Sequence, residues 1–190
     1  FTTSTGYGIA KYDNPEELSV SDRNNIGYQY TDCPLYWISV IYLNFAEAKA
    51  EMGSLTQDDL NNSINKLQAR AGLPAMTTTP DADPANNMGV SNLIWEIRRC
   101  RRCELIMDNW YRYWDLIRWH QLDKLDSTKY PNTMLGANVS NVPDCEEATK
   151  NGYIDASDAQ IRTYEAKHYF YPIPTTQLTL NKNMKQNPGW

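Results

Sequence analysis

Between residues 35 and 71 the apolar residues recur at helical spacing on either side of one short break, and that pattern constrains the fold more than any other feature. Pro34 opens an unbroken stretch to Met52, with Leu35, Ile38, Tyr42, Phe45 and Ala46 three to four residues apart. Such spacing predicts an amphipathic helix. Pro34 suits a first-turn position, where its missing N–H is no loss, and Gly53 suits the left-handed residue after the last turn. Thr56 is placed to cap a second helix, with Asp58 and Asp59 in its first turn. Leu60, Ile64, Leu67 and Ala71 form the second apolar stripe, which Gly72 and Pro74 end. Two helices joined by about three residues make an antiparallel hairpin.

The rest of the chain reads as more helix interrupted by long irregular segments. Residues 74–90 are rich in Pro, Asp and Asn and predict a loop. Ser91 caps a third helix running to about Met107, and a fourth follows from about Tyr111 to Leu125 after a break at Asp108 and Asn109. Residues 126–165 hold Pro131, Gly136, Pro143 and Gly152 without a clear period and predict a long loop draped over the fold. From residue 170 on, Pro alternates with aromatic residues, so no long helix can form there. The expected fold is all-α: a helical hairpin packed with further helices, long irregular loops and an extended C-terminal tail.

Composition excludes several function classes. With 18 basic and 23 acidic residues the chain is acidic, which argues against a nucleic-acid or anionic-membrane surface. No run of about 18 apolar residues occurs, so no segment is expected to span a membrane. The opening lacks the charged and apolar regions of a signal peptide and starts without Met, as expected of a piece of a longer chain. Cys33, Cys100, Cys103 and Cys145 are too few for a dense disulfide framework. The pair Cys100 and Cys103 lies mid-helix, where no helix N-terminus lowers a thiolate pKa, and is expected to be inert. No metal site is expected, because His120 and His168 are the only histidines and lie scattered among the cysteines. Asp81 with Asp83, and Asp155 with Asp158, lack the spaced pattern of a calcium loop and read as turn residues.

The third helix carries a charged pair on an apolar stripe. At about 100° per residue, Leu93, Ile94, Ile97, Cys100 and Leu105 share a face with Arg101 and Glu104. Arg101 and Glu104 are three apart and are expected to pair, which makes burial tolerable. Arg98, Arg99 and Arg102 fall on the other side and are expected to be solvated. A catalytic role for Glu104 would need a second acid, a His or a metal nearby, and the local sequence supplies none. On this reading Glu104→Ala costs about 3–5 kcal/mol, as expected when a buried charge loses its partner.

Three segments, in order, resemble the SusD/RagB family. They are WISVIYLNFAEAKAEMG with INKLQARAGLP (37–53 and 64–74), IRRCRRCELIMDNWYRYWDLIRW (97–119) and FYPIPTTQLTLNKNMKQNPGW (170–190). STGYGIAKY (4–12) resembles a further family segment, and residues 46–60 are also similar to the helix–turn–helix of a tetratricopeptide repeat. Cys100 stands where the family usually has Glu, and Asp108 with Asn109 replaces the usual Glu-Gly. The resemblance implies a tetratricopeptide-like scaffold in which Arg101, Glu104, Arg112 and Asp115 are architectural, and residues 1–190 a single C-terminal domain of a longer protein. It further implies a non-enzymatic, cofactor-free subunit on the outer face of the outer membrane. That subunit binds oligosaccharides, or in some members peptides, and caps a SusC-type TonB-dependent transporter. Its signal and lipidated cysteine would lie upstream, outside this sequence.

Six Trp and thirteen Tyr against three Phe favour rings with a polar edge, which suit sugar-stacking surfaces and interfaces as well as cores. Tyr7, Tyr12, Tyr28 and Tyr30, beside Asn24 and Asn25 in the irregular opening, are the candidate glycan contacts. Trp110, Trp114 and Trp119 are expected in the core, and Trp190 is expected to pin the tail. The alternative to glycan binding is a helical-repeat scaffold that binds a protein partner and no sugar.

Overall fold

The computed structural model describes residues 3–9, 11, 16, 19–25, 27, 35–143, 145, 149–157 and 159–190, without the side chains of residues 23 and 24. The chain divides into two compact units, residues 27–115 and residues 1–26 with 116–190. Its helices are α1 (Val20–Asn24), α2 (Ile38–Glu51), α3 (Gln57–Asn61), α4 (Ile64–Arg70), α5 (Asn92–Glu104), α6 (Tyr111–Arg118) and α7 (Thr175–Leu180). Three short strands are added to them: β1 (Leu135–Asn138), β2 (Thr149–Lys150) and β3 (Tyr153–Asp155). The chain is thus essentially all-α, with one small sheet among the described residues.

In the first unit the turn of the hairpin forms where Gly53 and Thr56 place it, but α2 starts at Ile38 after Trp37 rather than at Pro34, which lies outside the described residues. Gly53 has φ +68. Its N–H donates to the Ala50 carbonyl and that of Ser54 to the Lys49 carbonyl, so the last carbonyls of α2 are satisfied. Thr56 and Asp59 form a reciprocal capping box that starts α3. Lys49 Nζ adds an ion pair to Asp59 at 2.9 Å, tying the end of α2 to the start of α3.

The second helix of the hairpin breaks in two. Asn62 Nδ2 donates to the Asp58 carbonyl and Ser63 Oγ to the Asp59 carbonyl. These side chains compete for the backbone groups that would continue the helix. Leu43, Ala46, Leu60, Ile64, Leu67, Met76, Ile97 and Leu105 form the core on which α2, α4 and α5 pack. The core face of α2 is rotated from the expected stripe: Leu43 and Ala46 point inward, while Leu35, Ile38 and Phe45 are exposed.

Residues 74–90 are a loop, as expected, and a side-chain amide holds its start. Asn65 Oδ1 accepts from the Met76 N–H at 2.7 Å, and its Nδ2 donates to the Met76 carbonyl. Asp83 accepts from Trp95 Nε1 and from the Ala85 N–H, the work of a turn residue.

In the second unit, residues 126–165 depart from the expected loop. β3 pairs antiparallel with both β1 and β2 in the order β1-β3-β2. Asn151 and Gly152 join β2 to β3 with φ of 54° and 79°, the two left-handed residues of a type I′ hairpin. The opening segment joins the sheet edge, where Ala137 N–H donates to the Thr5 carbonyl at 2.8 Å. A side chain at Gly136 would collide with that same carbonyl. Buried Asp126 gathers the neighbouring turn, accepting from the Thr128 hydroxyl and from the N–H groups of Thr128, Lys129 and Tyr164.

The expected fourth helix stops early. His120, at φ 52, takes the left-handed place after α6, and Leu122–Leu125 continue only as a 3-10 turn. In the tail, Gln186 accepts from the Ile173 N–H and donates to the Ile173 carbonyl, as a neighbouring strand would. Asn187 donates to the Tyr171 carbonyl, and Trp190 Nε1 donates to the carbonyls of Lys167 and Phe170. Trp190 therefore pins the tail.

Gln186→Leu loses both bonds to Ile173 and costs about 1–3 kcal/mol, lowering Tm by several degrees in calorimetry. Deletion of residues 187–190 lowers Tm as well. Acid weakens the fold at two carboxylates. The Asp59 carboxyl, held by Lys49 and Thr56, titrates at about 2 rather than 3.8. Asp126 falls to about 2 chiefly through the Thr128 hydroxyl. Both bind protons more weakly folded than unfolded, so their stabilisation is complete above about pH 4 and fades as pH falls through about 2. Urea titrations across that range will show the loss, and Asp126→Asn will reduce its slope.

Candidate functional site

Three charged residues of α5, Arg98, Arg101 and Glu104, join the helices of the first unit, while Arg99 and Arg102 are exposed as expected. Arg101 Nε donates to Asp115 Oδ2 at 2.6 Å, with both side chains 5% exposed. Its Nη1 donates to Asn44 Oδ1 on α2, and its guanidinium lies 5.7 Å from the centre of the Tyr111 ring. Arg101 therefore pairs with Asp115 rather than with Glu104. A buried guanidinium needs a carboxylate, and α6, the next helix along the chain, delivers one. Glu104 instead accepts two bonds from Arg70 on α4, at 2.6 and 2.7 Å.

Arg98, expected in solvent, is buried and donates to Glu47 at 3.0 Å and to Glu51 at 3.2 Å. Glu47 and Glu51 of α2 and Asp115 of α6 thus bring carboxylates to the buried arginines of α5. Arg112 is partly buried. Burial and the charge of Arg102 lower its pKa, with Asp115 opposing.

The two thiols differ: Cys100 packs against the core and Cys103 does not. Burial, with the charges of Glu104 and Cys103, pushes the Cys100 thiol up to about 12. At neutral pH it is a thiol, while Cys103 is exposed. Among the described residues no group of three or more His, Cys, Asp and Glu is arranged to hold a metal ion. Nor is any helix among them long and apolar enough to cross a membrane.

Of the candidate glycan contacts, Tyr7 is described and exposed, its N–H donating to the Thr5 hydroxyl. Asn25 is exposed after the end of α1, its N–H bonded to the Asp22 carbonyl. Asn24 ends α1, and its side chain lies outside the described atoms. Tyr12, Tyr28 and Tyr30 lie outside the described residues. The structure does not bring these candidates together into one described site.

Two exposed indoles went unanticipated. Trp119 is buried as expected, but Trp110 is 81% and Trp114 54% exposed. The cause is the turn before α6. Met107, Asn109 and Trp110 all have positive φ, and Asn109 Nδ2 donates to the Leu35 carbonyl. This backbone swings Trp110 outward at the N-terminus of α6, and Trp114 follows one turn later. The Tyr113 ring meets Trp114 edge-on at 5.6 Å. In the sequence, the replacement of a usual Glu-Gly by Asp108 and Asn109 marked this turn as unusual, but not which way the rings would face.

The chain belongs to the SusD family, which it matches over residues 1–190. Its fold is similar to that of a SusD-like protein from Bacteroides fragilis, with a TM-score of 0.54 at 24% sequence identity. The likeness covers 80% of this chain and 25% of that one, so the chain spans about a quarter of that relative's length. No curated protein matches it.

Removing the buried partner should separate the two carboxylates. Asp115→Ala leaves Arg101 buried without its carboxylate and costs about 3–5 kcal/mol in urea denaturation. Glu104→Ala costs about 1–2 kcal/mol, since its partner Arg70 stays largely solvated.

Proposed function

We propose that this chain is the C-terminal part of a glycan-binding protein of the bacterial cell surface, working with a SusC-type TonB-dependent transporter in nutrient uptake. The protein binds oligosaccharide and performs no covalent chemistry. It is held at the outer face of the outer membrane by a lipid anchor carried elsewhere in the full polypeptide. The observation that carries this reading is the family match over the whole of residues 1–190. Consistent with binding rather than catalysis, Arg98, Arg101 and Glu104 are engaged in ion pairs that join helices.

Exposed rings supply the chemistry that a sugar needs. The C–H face of a pyranose stacks on a flat π-system, with amide and carboxyl groups bonding its hydroxyls. Trp110, Trp114 and Tyr7 are rings available to solvent. Tyr12, Tyr28, Tyr30, Asn24 and Asn25 remain the contacts proposed for the irregular opening.

Affinity electrophoresis through gels cast with a panel of soluble polysaccharides tests the reading. At least one polysaccharide should retard the protein, and Trp110→Gly should reduce that retardation several-fold. Glycine accepts φ +59 without strain, so Tm will not fall and lost binding reports the ring. Retardation by no polysaccharide would overturn the proposal, as would an undiminished response in both Trp110→Gly and Tyr7→Ala.

A further inference from the structure

Four arginines of the first unit each reach a carboxylate. Arg70 holds Glu104, Arg98 holds Glu47 and Glu51, Arg99 holds Glu96, and Arg101 holds Asp115. The other two arginines of that unit, Arg102 and Arg112, make no hydrogen bond or ion pair among the described residues. The contact between Arg101 and Asp115 also brings this second pair together. Arg102 follows Arg101 on α5, and Arg112 lies one turn before Asp115 on α6. The charge of Arg102 is felt at Arg112, where it lowers the pKa. Arg102 is exposed and Arg112 partly buried. A partly buried guanidinium without an acceptor has lost hydration and gained no bond in return, and a like charge beside it adds repulsion. An anion seated between the two relieves both costs. The planar fork of each guanidinium matches the paired oxygens of a carboxylate or sulfate.

From this we infer that Arg102 and Arg112 form a subsite for the anionic group of an acidic oligosaccharide, a uronate carboxylate or a sulfate ester. The inference rests on the glycan-binding reading and names the class of glycan. Nucleic acid fits the pair poorly. Its phosphates are met by broad basic surfaces, whereas this chain has a net charge of -5. Two arginines without carboxylates match a single anionic group instead. Asp115 does not neutralise them, because Arg101 engages it at 2.6 Å. At about 100° per residue, Arg112 lies across α6 from Trp114, so arginine and indole contributions are separable by mutation.

Calorimetry of the full-length protein with matched oligosaccharides tests it, pairing a uronate with its carboxyl-reduced form and a sulfated chain with its desulfated form. At least one acidic member should bind about tenfold more tightly than its neutral counterpart, as one or two charge-assisted hydrogen bonds provide. Arg102→Gln, alone and with Arg112→Gln, should remove that preference and leave affinity for the neutral form in place. Arg102→Gln breaks no described bond, so its Tm should not fall. Arg99→Gln, at a guanidinium already engaged with Glu96, should keep the preference. Equal affinity for acidic and neutral members would overturn the inference and leave the glycan-binding reading standing. Binding of neither would overturn that reading and the inference with it. A preference undiminished in both Arg102 variants, or lost equally in Arg99→Gln, would overturn the inference alone, the latter as the mark of diffuse surface charge.

Discussion

The buried contact between Arg101 and Asp115 is the constraint around which residues 27–115 are organised. A guanidinium and a carboxylate removed from water are tolerable only when each satisfies the other. Their 2.6 Å contact therefore fixes the start of α6 against α5, and the bond from Arg101 to Asn44 brings in α2. Arg98 repeats the device one turn earlier, joining α5 to Glu47 and Glu51 of α2. Arg70 and Glu104 close the circuit from α4. The apolar core of Leu43, Ile64, Ile97 and their neighbours supplies the driving force, since burial of such side chains contributes about 1.5–3 kcal/mol each. The charged contacts select which helix faces meet. This division explains why a family motif full of charged residues need not be a site of chemistry.

Where helices give way to irregular chain, side-chain amides take over the work of strands. Asn65 makes a two-point contact with the Met76 backbone, and Gln186 makes the same contact with Ile173. Each supplies a donor and an acceptor in the arrangement that a peptide group would offer. The backbone of a segment too short or too rich in proline to pair with another strand is thereby satisfied. Asp126 does the equivalent with a carboxylate, accepting bonds at the turn and from Tyr164. The QNPGW tail can thus be read chemically. Gln186 and Asn187 fasten residues 171–173, and the indole of Trp190 reaches back to residues 167 and 170.

Exposure divides the aromatic residues in a way that composition does not. Trp95 and Trp119 are buried, while Trp110, Trp114, Tyr36 and Tyr171 stand mostly in solvent. Trp110 owes its position to a run of left-handed residues that costs backbone strain. A strained turn that presents an indole to water is unexpected in a purely architectural motif, and it is why Trp110 and Trp114 enter the proposed glycan surface.

Local signals in the sequence determined that the helices form and several of their caps, though not the break between α3 and α4 or the early end of α6. Thr56, Ser91, Gly53 and Gly72 act on backbone groups within a few residues, so the caps and turns they announce are present. The pair Asn151 and Gly152 was an equally local hairpin signal, obscured by its place in a long aperiodic stretch. The family could also be read from the ordered motifs. Tertiary structure alone decided which of two stripes on α2 faces the core, that Arg101 takes Asp115 while Glu104 takes Arg70, and that Trp110 points outward. The first two outcomes depend on which groups the other helices deliver, and the third on the left-handed turn before α6. Helical periodicity specifies which residues share a face, but burial and charge pairing depend on what that face meets.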